Sequence, residues 1–158
     1  MLTVRKFGML AMAMMALTVA AACDKAPGSA APSRTREAAR YLVVVAPFNV
    51  ANTALIRKSH AISHIHTVAQ FKAVCNPLIL AATRFDRAVL RIGLTGQAAA
   101  DARALVASNV SFIATFHDLA ARSFKSELVV LERENAISTA DGNHLRAKLG
   151  LPPVVVGG

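Results

Sequence analysis

The chain has 158 residues, of which 54% are hydrophobic, and a formal net charge of +9. Its cations are scattered along the chain, tryptophan is absent and Tyr41 is the only tyrosine, so the interleaved basic and aromatic residues of nucleic-acid-binding surfaces are missing. The sequence contains no G-x-S-x-G, H-E-x-x-H, S-x-x-K or phosphate-binding glycine motif. We therefore expect neither an enzyme nor a nucleic-acid-binding protein, and we expect no cofactor.

The N-terminal residues have the pattern of a secretion signal. Arg5 and Lys6 precede an apolar run at residues 7–22, and small residues lead to Cys23. The cysteine makes this segment resemble a bacterial lipoprotein signal, which implies cleavage before Cys23 and lipidation of that residue. We expect a signal peptide at residues 1–22 and a protein lipid-anchored on the extracytoplasmic face of the cell membrane. Two alternatives stay open: secretion after ordinary cleavage, and an uncleaved anchor, although the run is shorter than the roughly 20 residues of a typical span.

Two segments outside the predicted domain lack apolar periodicity. Residues 23–35 are rich in Ala, Pro, Ser and charge, which is typical of a flexible tether, and residues 151–158 are predicted to be a disordered tail. Residues 36–150 are long enough for one folded domain. Removal of residues 1–22 takes away two basic residues, so the mature chain has a net charge of +7, which favours contact with anionic lipid head groups. If Cys23 carries lipid, Cys75 has no disulfide partner.

Within the predicted domain, apolar residues recur at intervals of three and four, the spacing of amphipathic helices. Four stripes are predicted to face a core: Tyr41, Val44, Val45, Phe48, Asn52 and Leu55; Val68, Phe71, Cys75, Leu78, Ala82, Phe85, Val89 and Ile92; Ala98, Ala102, Leu105, Asn109, Phe112, Phe116 and Leu119; and Leu128, Leu131, Asn135, Ser138, Gly142, Leu145 and Leu149. Breaks fall at residues 93–96 and at Gly150, and Ser59 and Ser126 are the predicted caps. Short connections predict an all-α, up-down-up-down antiparallel four-helix bundle.

The third predicted helix carries a second apolar stripe beside the first: Val106, Val110, Ile113, His117, Ala120 and Phe124. Two adjacent stripes predict a wide face that contacts two neighbouring helices. Asn109 and Asn135 interrupt apolar stripes and are expected to fix the register of packing rather than to bind a ligand. Asp86 and Arg87 are interpreted as exposed helix charges.

Two prolines fall within predicted helical stretches, Pro47 in the first and Pro77 in the second. Each either interrupts its helix or marks the first turn of a new one. In an antiparallel bundle both prolines fall near the level of Cys75 and His117. A thiol and an imidazole suit zinc or copper, so one hypothesis is a ligand-binding pocket at this level. The simpler interpretation is that both side chains pack in the core.

A second pair of candidate ligands is His60 and His64. They are four residues apart, so they would share one face of a helix and could hold a metal ion. A closed metal site needs three or four ligands, and no acid or cysteine lies near them in sequence. The alternative is a group of exposed histidines at the end of the bundle, which would make it mildly sensitive to pH.

Several segments carry a resemblance: residues 38–42 (AARYL) followed by Pro47 and Asn49, residues 101–106, and residues 143–146 (NHLR) before residues 149–153 (LGLPP). With these, most of residues 36–153 resemble the small, Ala-rich lipoproteins and secreted proteins of actinobacteria. The resemblance implies an extracytoplasmic location and a helical fold, and it carries over no catalytic residue.

These observations favour a membrane-tethered, non-enzymatic binding or interaction module. Its expected partners are the membrane through the lipid on Cys23, anionic lipid head groups and a protein. The alternative is a carrier of a metal or a small ligand that uses Cys75 with His117, or His60 with His64.

Overall fold

The computed structural model of this chain describes residues 32–61, 65, 67–120 and 124–154, and in this part of the chain it contains four helices and no strand. The predicted all-α, up-down-up-down four-helix bundle is confirmed. The helices are α1 (Pro32–Ala61), α2 (Val68–Val89), α3 (Gly96–Asp118) and α4 (Phe124–Lys148).

The start of α1 is fastened to the connection between α2 and α3. Arg40 donates a hydrogen bond from its guanidinium to the carbonyl of Ile92 over 3.1 Å. The carboxylate of Glu37 accepts hydrogen bonds from the backbone N–H and the hydroxyl of Thr95, at 3.1 and 3.0 Å. These contacts bring the first turns of α1 to the end of α2, so the two helices form an antiparallel hairpin.

Helices α3 and α4 form a second antiparallel hairpin, in which Ser111 donates a hydrogen bond to Glu134 over 2.8 Å. The two hairpins meet at both ends of the bundle. Lys72, near the start of α2, donates to the carbonyl of His117 at the end of α3 over 2.6 Å. Burial raises the pKa of Tyr41, and the nearby positive charge of Arg146 lowers it by less, so the end of α4 lies beside the start of α1.

The core follows the four predicted stripes closely. Phe85 of α2 is 2% exposed, and its ring packs between the rings of Tyr41 and Phe48 of α1, with centroids 6.1 and 5.9 Å away. A second cluster lies toward the other end, where Phe71 of α2 meets Phe116 of α3 at 5.9 Å. On α4 the whole predicted stripe is buried. The second stripe predicted for α3 is only partly packed, because Val110 is 56% exposed and His117 is also exposed.

The helix boundaries differ from the predicted caps. Ser59 lies inside α1 and Ser126 lies inside α4. The N-cap of α2 is Thr67, which forms a capping box with Gln70, each side chain accepting from the other residue's backbone N–H at 3.2 Å. At the other end of the bundle, α4 stops at Gly150, whose φ of +71° is a left-handed conformation that favours glycine.

Both prolines lie inside helices, Pro47 in α1 and Pro77 in α2, so neither marks a helix start. Proline removes one hydrogen bond from the helix interior and leaves a carbonyl one turn earlier without its usual donor. Pro47 and Pro77 are both exposed, as are Val43 and Ala73, which are the residues four positions earlier. Solvent can therefore hydrate the two freed carbonyl groups.

The first residues of the predicted tail pack against the bundle. Val154 is 6% exposed, and its backbone N–H donates to the side chain of Asn143 over 2.7 Å. Arg146 donates from Nε to the carbonyl of Pro152, also over 2.7 Å. Residues 151–154 are thus part of the folded domain. The folded domain also begins earlier than predicted, because α1 starts at Pro32, within residues 23–35, which were predicted to be a tether.

Candidate interaction surface

Helix α1 is apolar on both of its sides. Residues 41–56 contain no charged side chain over more than four turns. By length and composition the segment Thr35–Lys58 could cross a membrane. A window of 18 residues within it has a mean hydropathy of 1.3, and 28% of that window is buried. The side toward α2 and α4 supplies Tyr41 and Val45, both fully buried. A helix that is apolar all round needs a partner on every side, and the bundle covers only one side of α1.

The outer side of α1 faces solvent along most of its length. Val43 is 73% exposed, Val50 is 70% exposed and Leu42 is 37% exposed. Ala46 and Pro47 lie between them and are also exposed. From residue 42 to residue 54 this uncharged strip is about 18 Å long at 1.5 Å per residue.

Helix α2 also exposes apolar and cationic side chains to solvent. Leu80 is 59% exposed, and Arg84, Arg87 and Arg91 are exposed further along the helix. Positions 80, 84, 87 and 91 are spaced by four and three, so they follow one side of α2. We call the solvent-facing side of α1 and α2 the hairpin surface.

The net charge of residues 32–154 lies entirely on the hairpin formed by α1 and α2. Residues 32–92 contain nine lysines and arginines against two acids, a net charge of +7. Residues 96–148 contain six of each, a net charge of zero. Neither acid of the first hairpin lies on the hairpin surface, since Glu37 accepts two hydrogen bonds from Thr95 and Asp86 is only 5% exposed. The hairpin surface is therefore both apolar and cationic.

Asp86 belongs to a polar network between three helices, and its predicted exposure was wrong. Its carboxylate accepts a 2.6 Å hydrogen bond from the amide of Asn109 on α3. The amide oxygen of Asn109 in turn accepts from the hydroxyl of Ser138 on α4. Burial raises the pKa of Asp86 to about 6, against a smaller opposing effect of the bond from Asn109. The network links α2, α3 and α4 at one level and suits the register role expected for Asn109.

Two concave regions adjoin this network. A cavity of about 20 Å³ in the bundle interior is lined by Phe48, Phe85 and Ser138 among others, which is room for about one water molecule. An open groove of about 390 Å³ runs between α2 and α3, where Arg87, Leu90 and Val110 lie around Asp86. Neither region is lined by Cys75 or His117.

Cys75 and His117, the residues of the predicted ligand pocket, differ in their exposure. Cys75 is a free thiol, partly buried where the two core clusters meet, and burial raises its pKa to about 12. His117 is exposed, and its ring packs edge-on against Phe116 with centroids 5.6 Å apart. The ligand-binding pocket at Cys75 and His117 stays a prediction.

The other candidate ligands lie partly beyond what the structure describes. Cys23 and His64 lie outside the described residues, and of His60 only the backbone, near the end of α1, is described. Among the residues described there is no group of three His, Cys, Asp or Glu that could hold a metal ion. The metal site at His60 and His64 stays a prediction.

Sequence reasoning missed the hairpin surface. Its signals were present: the uncharged stretch at residues 41–56 and the unequal charge of the two halves of the domain. They become informative only once the helix pairing shows which side of α1 the bundle leaves uncovered.

No protein-family model, curated protein or solved structure matches this chain.

Proposed function

We propose that the chain is a membrane-tethered, extracytoplasmic lipoprotein that acts as a non-enzymatic interaction module through the hairpin surface. In this proposal residues 1–22 are removed, Cys23 carries lipid such as palmitate, and the segment before α1 is a short tether. The lipid holds the bundle at the membrane, and the hairpin surface of α1 and α2 binds the partner of the protein there.

The observation that carries the proposal is the uncovered side of α1. Two valines more than two-thirds exposed, Val43 and Val50, lie one heptad apart on a helix without charge over 16 residues. Extended apolar patches with a polar rim mark interaction sites on soluble domains. On α2, Leu80 adds an exposed apolar side chain, and the exposed arginines are polar residues of the kind that form such a rim.

The tether is tested by the substitution Cys23→Ser. We expect the wild-type protein to stay with the membrane fraction through a wash in about 1 M NaCl, which screens charge–charge attraction, because a lipid anchor does not depend on charge. The Cys23→Ser protein should be removed by that wash. Only the wild type should incorporate a palmitate analogue during growth.

Retention of the Cys23→Ser protein after the salt wash, without palmitate incorporation in the wild type, would contradict lipidation. Mass spectrometry of the wild-type protein then distinguishes the two alternatives. A chain starting at Cys23 without lipid indicates ordinary secretion, and a chain starting at Met1 indicates an uncleaved anchor.

A further inference from the structure

We infer that the partner of the hairpin surface is an anionic lipid surface, on which α1 and α2 lie parallel to the membrane plane. This inference rests on the proposed function, because it identifies the partner of the same surface. It also assigns an orientation to the bundle: the cationic hairpin faces the lipid, and the neutral α3–α4 hairpin faces away.

Charge selects the lipid surface from the possible partners. A second copy of the chain would bring one hairpin of net charge +7 against another of the same charge, with Arg36 and Arg40 near one end of the strip on α1 and Arg57 and Lys58 near the other. Like charges at a contact oppose association. An anionic membrane complements both the positive charge and the apolar side chains of the hairpin surface. Its head groups attract the arginines, and the boundary of its acyl chains accepts Val43 and Val50.

The geometry of α1 agrees with a helix lying flat at the interface. Interfacial helices bury one apolar side about 5–10 Å into the boundary between head groups and acyl chains, while cationic side chains reach the phosphates. On the hairpin surface the apolar positions lie on the outer side of α1, and Arg84, Arg87 and Arg91 are exposed along α2. Long arginine side chains can lay their apolar stems along the surface while the guanidinium stays in the head-group layer.

The tether permits this orientation. Pro32, the first residue of α1, follows Cys23 by nine positions, which span at most about 30 Å when fully extended. Thirty residues of α1 measure about 45 Å. The start of α1 is thus close enough to a lipid on Cys23 for the helix to lie along the membrane.

The test uses the unlipidated mature chain, residues 24–158, which retains all four helices, so that binding does not depend on the anchor. Co-sedimentation is measured with vesicles of phosphatidylcholine alone and of phosphatidylcholine with about 30% phosphatidylglycerol. We expect binding to the anionic vesicles only, and weaker binding as salt is raised. The double variant Val43→Glu/Val50→Glu should bind the anionic vesicles at least about tenfold more weakly, because it loses both apolar insertion and net positive charge.

The matched control is the double variant Val110→Glu/Val129→Glu. It makes the same change in net charge at positions 56% and 64% exposed, but on the neutral hairpin. We expect its binding to stay within about twofold of the wild type. Circular dichroism of both double variants verifies that the helices are retained.

Three results would overturn the inference: no binding to anionic vesicles, equal weakening by both double variants, or a dimer in the absence of lipid that Val43→Glu/Val50→Glu disrupts. The last result would identify a second copy as the partner. The vesicle assay uses a chain without the lipid on Cys23, so a negative result there does not contradict lipidation. A negative palmitate experiment, in turn, does not contradict binding of the hairpin surface to anionic lipid.

Discussion

Replacing Asp86 with Asn should raise the free energy of unfolding at pH 8 by up to about 3 kcal/mol. Asp86 is 5% exposed, and burial raises the pKa of its carboxyl from 3.8 to about 6. A shift of about two units corresponds to about 3 kcal/mol between the protonated and charged forms. An Asn side chain has the same shape without the charge, and its oxygen can accept the bond that Asn109 donates to Asp86.

The stability of the wild type should fall as pH rises, which is why the Asp86→Asn protein should be the more stable one at pH 8. Because the pKa is raised in the folded state, the favourable contribution of protonated Asp86 is fully present below about pH 4 and is lost as pH rises through about 6. Wild type and Asp86→Asn should therefore be equally stable near pH 4 and differ most above pH 7. Urea unfolding of both proteins from pH 4 to pH 8 measures the difference.

The matched control for this substitution is Asp118→Asn, at an exposed position at the end of α3, which should leave the difference between pH 4 and pH 8 unchanged. An Asp86→Asn protein no more stable than the wild type at pH 8 would show that the carboxylate is not disfavoured by its surroundings.

Replacing Phe85 with Ala should lower the free energy of unfolding by about 3–5 kcal/mol, the usual range for removal of a buried aromatic ring. Phe85 packs against the rings of Tyr41 and Phe48, so the substitution opens a cavity between α1 and α2. Domains of this kind are stable by only about 5–15 kcal/mol, so much of the stability is lost. The loss is measured by urea unfolding followed by circular dichroism.

Leu80→Ala is the control for Phe85→Ala, because Leu80 is on the same helix but 59% exposed. In the absence of lipid it should change the free energy of unfolding by less than about 0.5 kcal/mol. If Phe85→Ala were as mild as Leu80→Ala, the contact between α1 and α2 would not be the core described above.

The helices and their buried sides were predictable because the chain repeats its apolar residues with little interruption. On α4 even the weak positions Asn135, Ser138 and Gly142 are buried, since the spacing of three and four holds through them. The prediction that the second stripe of α3 contacts a neighbouring helix was only partly correct. Val110 of that stripe lies at the open groove between α2 and α3, where no neighbouring helix covers it. Spacing shows which side of a helix is apolar but not how many neighbours cover it.

The candidate surface and the buried carboxylate could not be predicted, because both depend on how the helices pair. Asp86 stands next to Arg87 in the sequence, and such a charged pair is typical of an exposed helix side. Only the packing of α2 against α3, where Asn109 donates to the Asp86 carboxylate, shows that Asp86 is buried. Likewise, the apolar residues of α1 suggest a core helix until its outer side proves uncovered. The N-cap of α2, Thr67, was missed although its capping box has a sequence signature, a Thr followed three positions later by Gln.

The central claim, that the hairpin surface contacts lipid, is tested most directly by the environment of residue 50. The chain has no tryptophan, so the variants Val50→Trp and Ile137→Trp each report from one site, on α1 and on the exposed side of α4. On anionic vesicles with brominated acyl chains, we expect the emission of Val50→Trp to shift to the blue and be quenched, and that of Ile137→Trp to stay unchanged. Unchanged emission from Val50→Trp on vesicles that bind the protein, or quenching of Ile137→Trp instead, would contradict the claim.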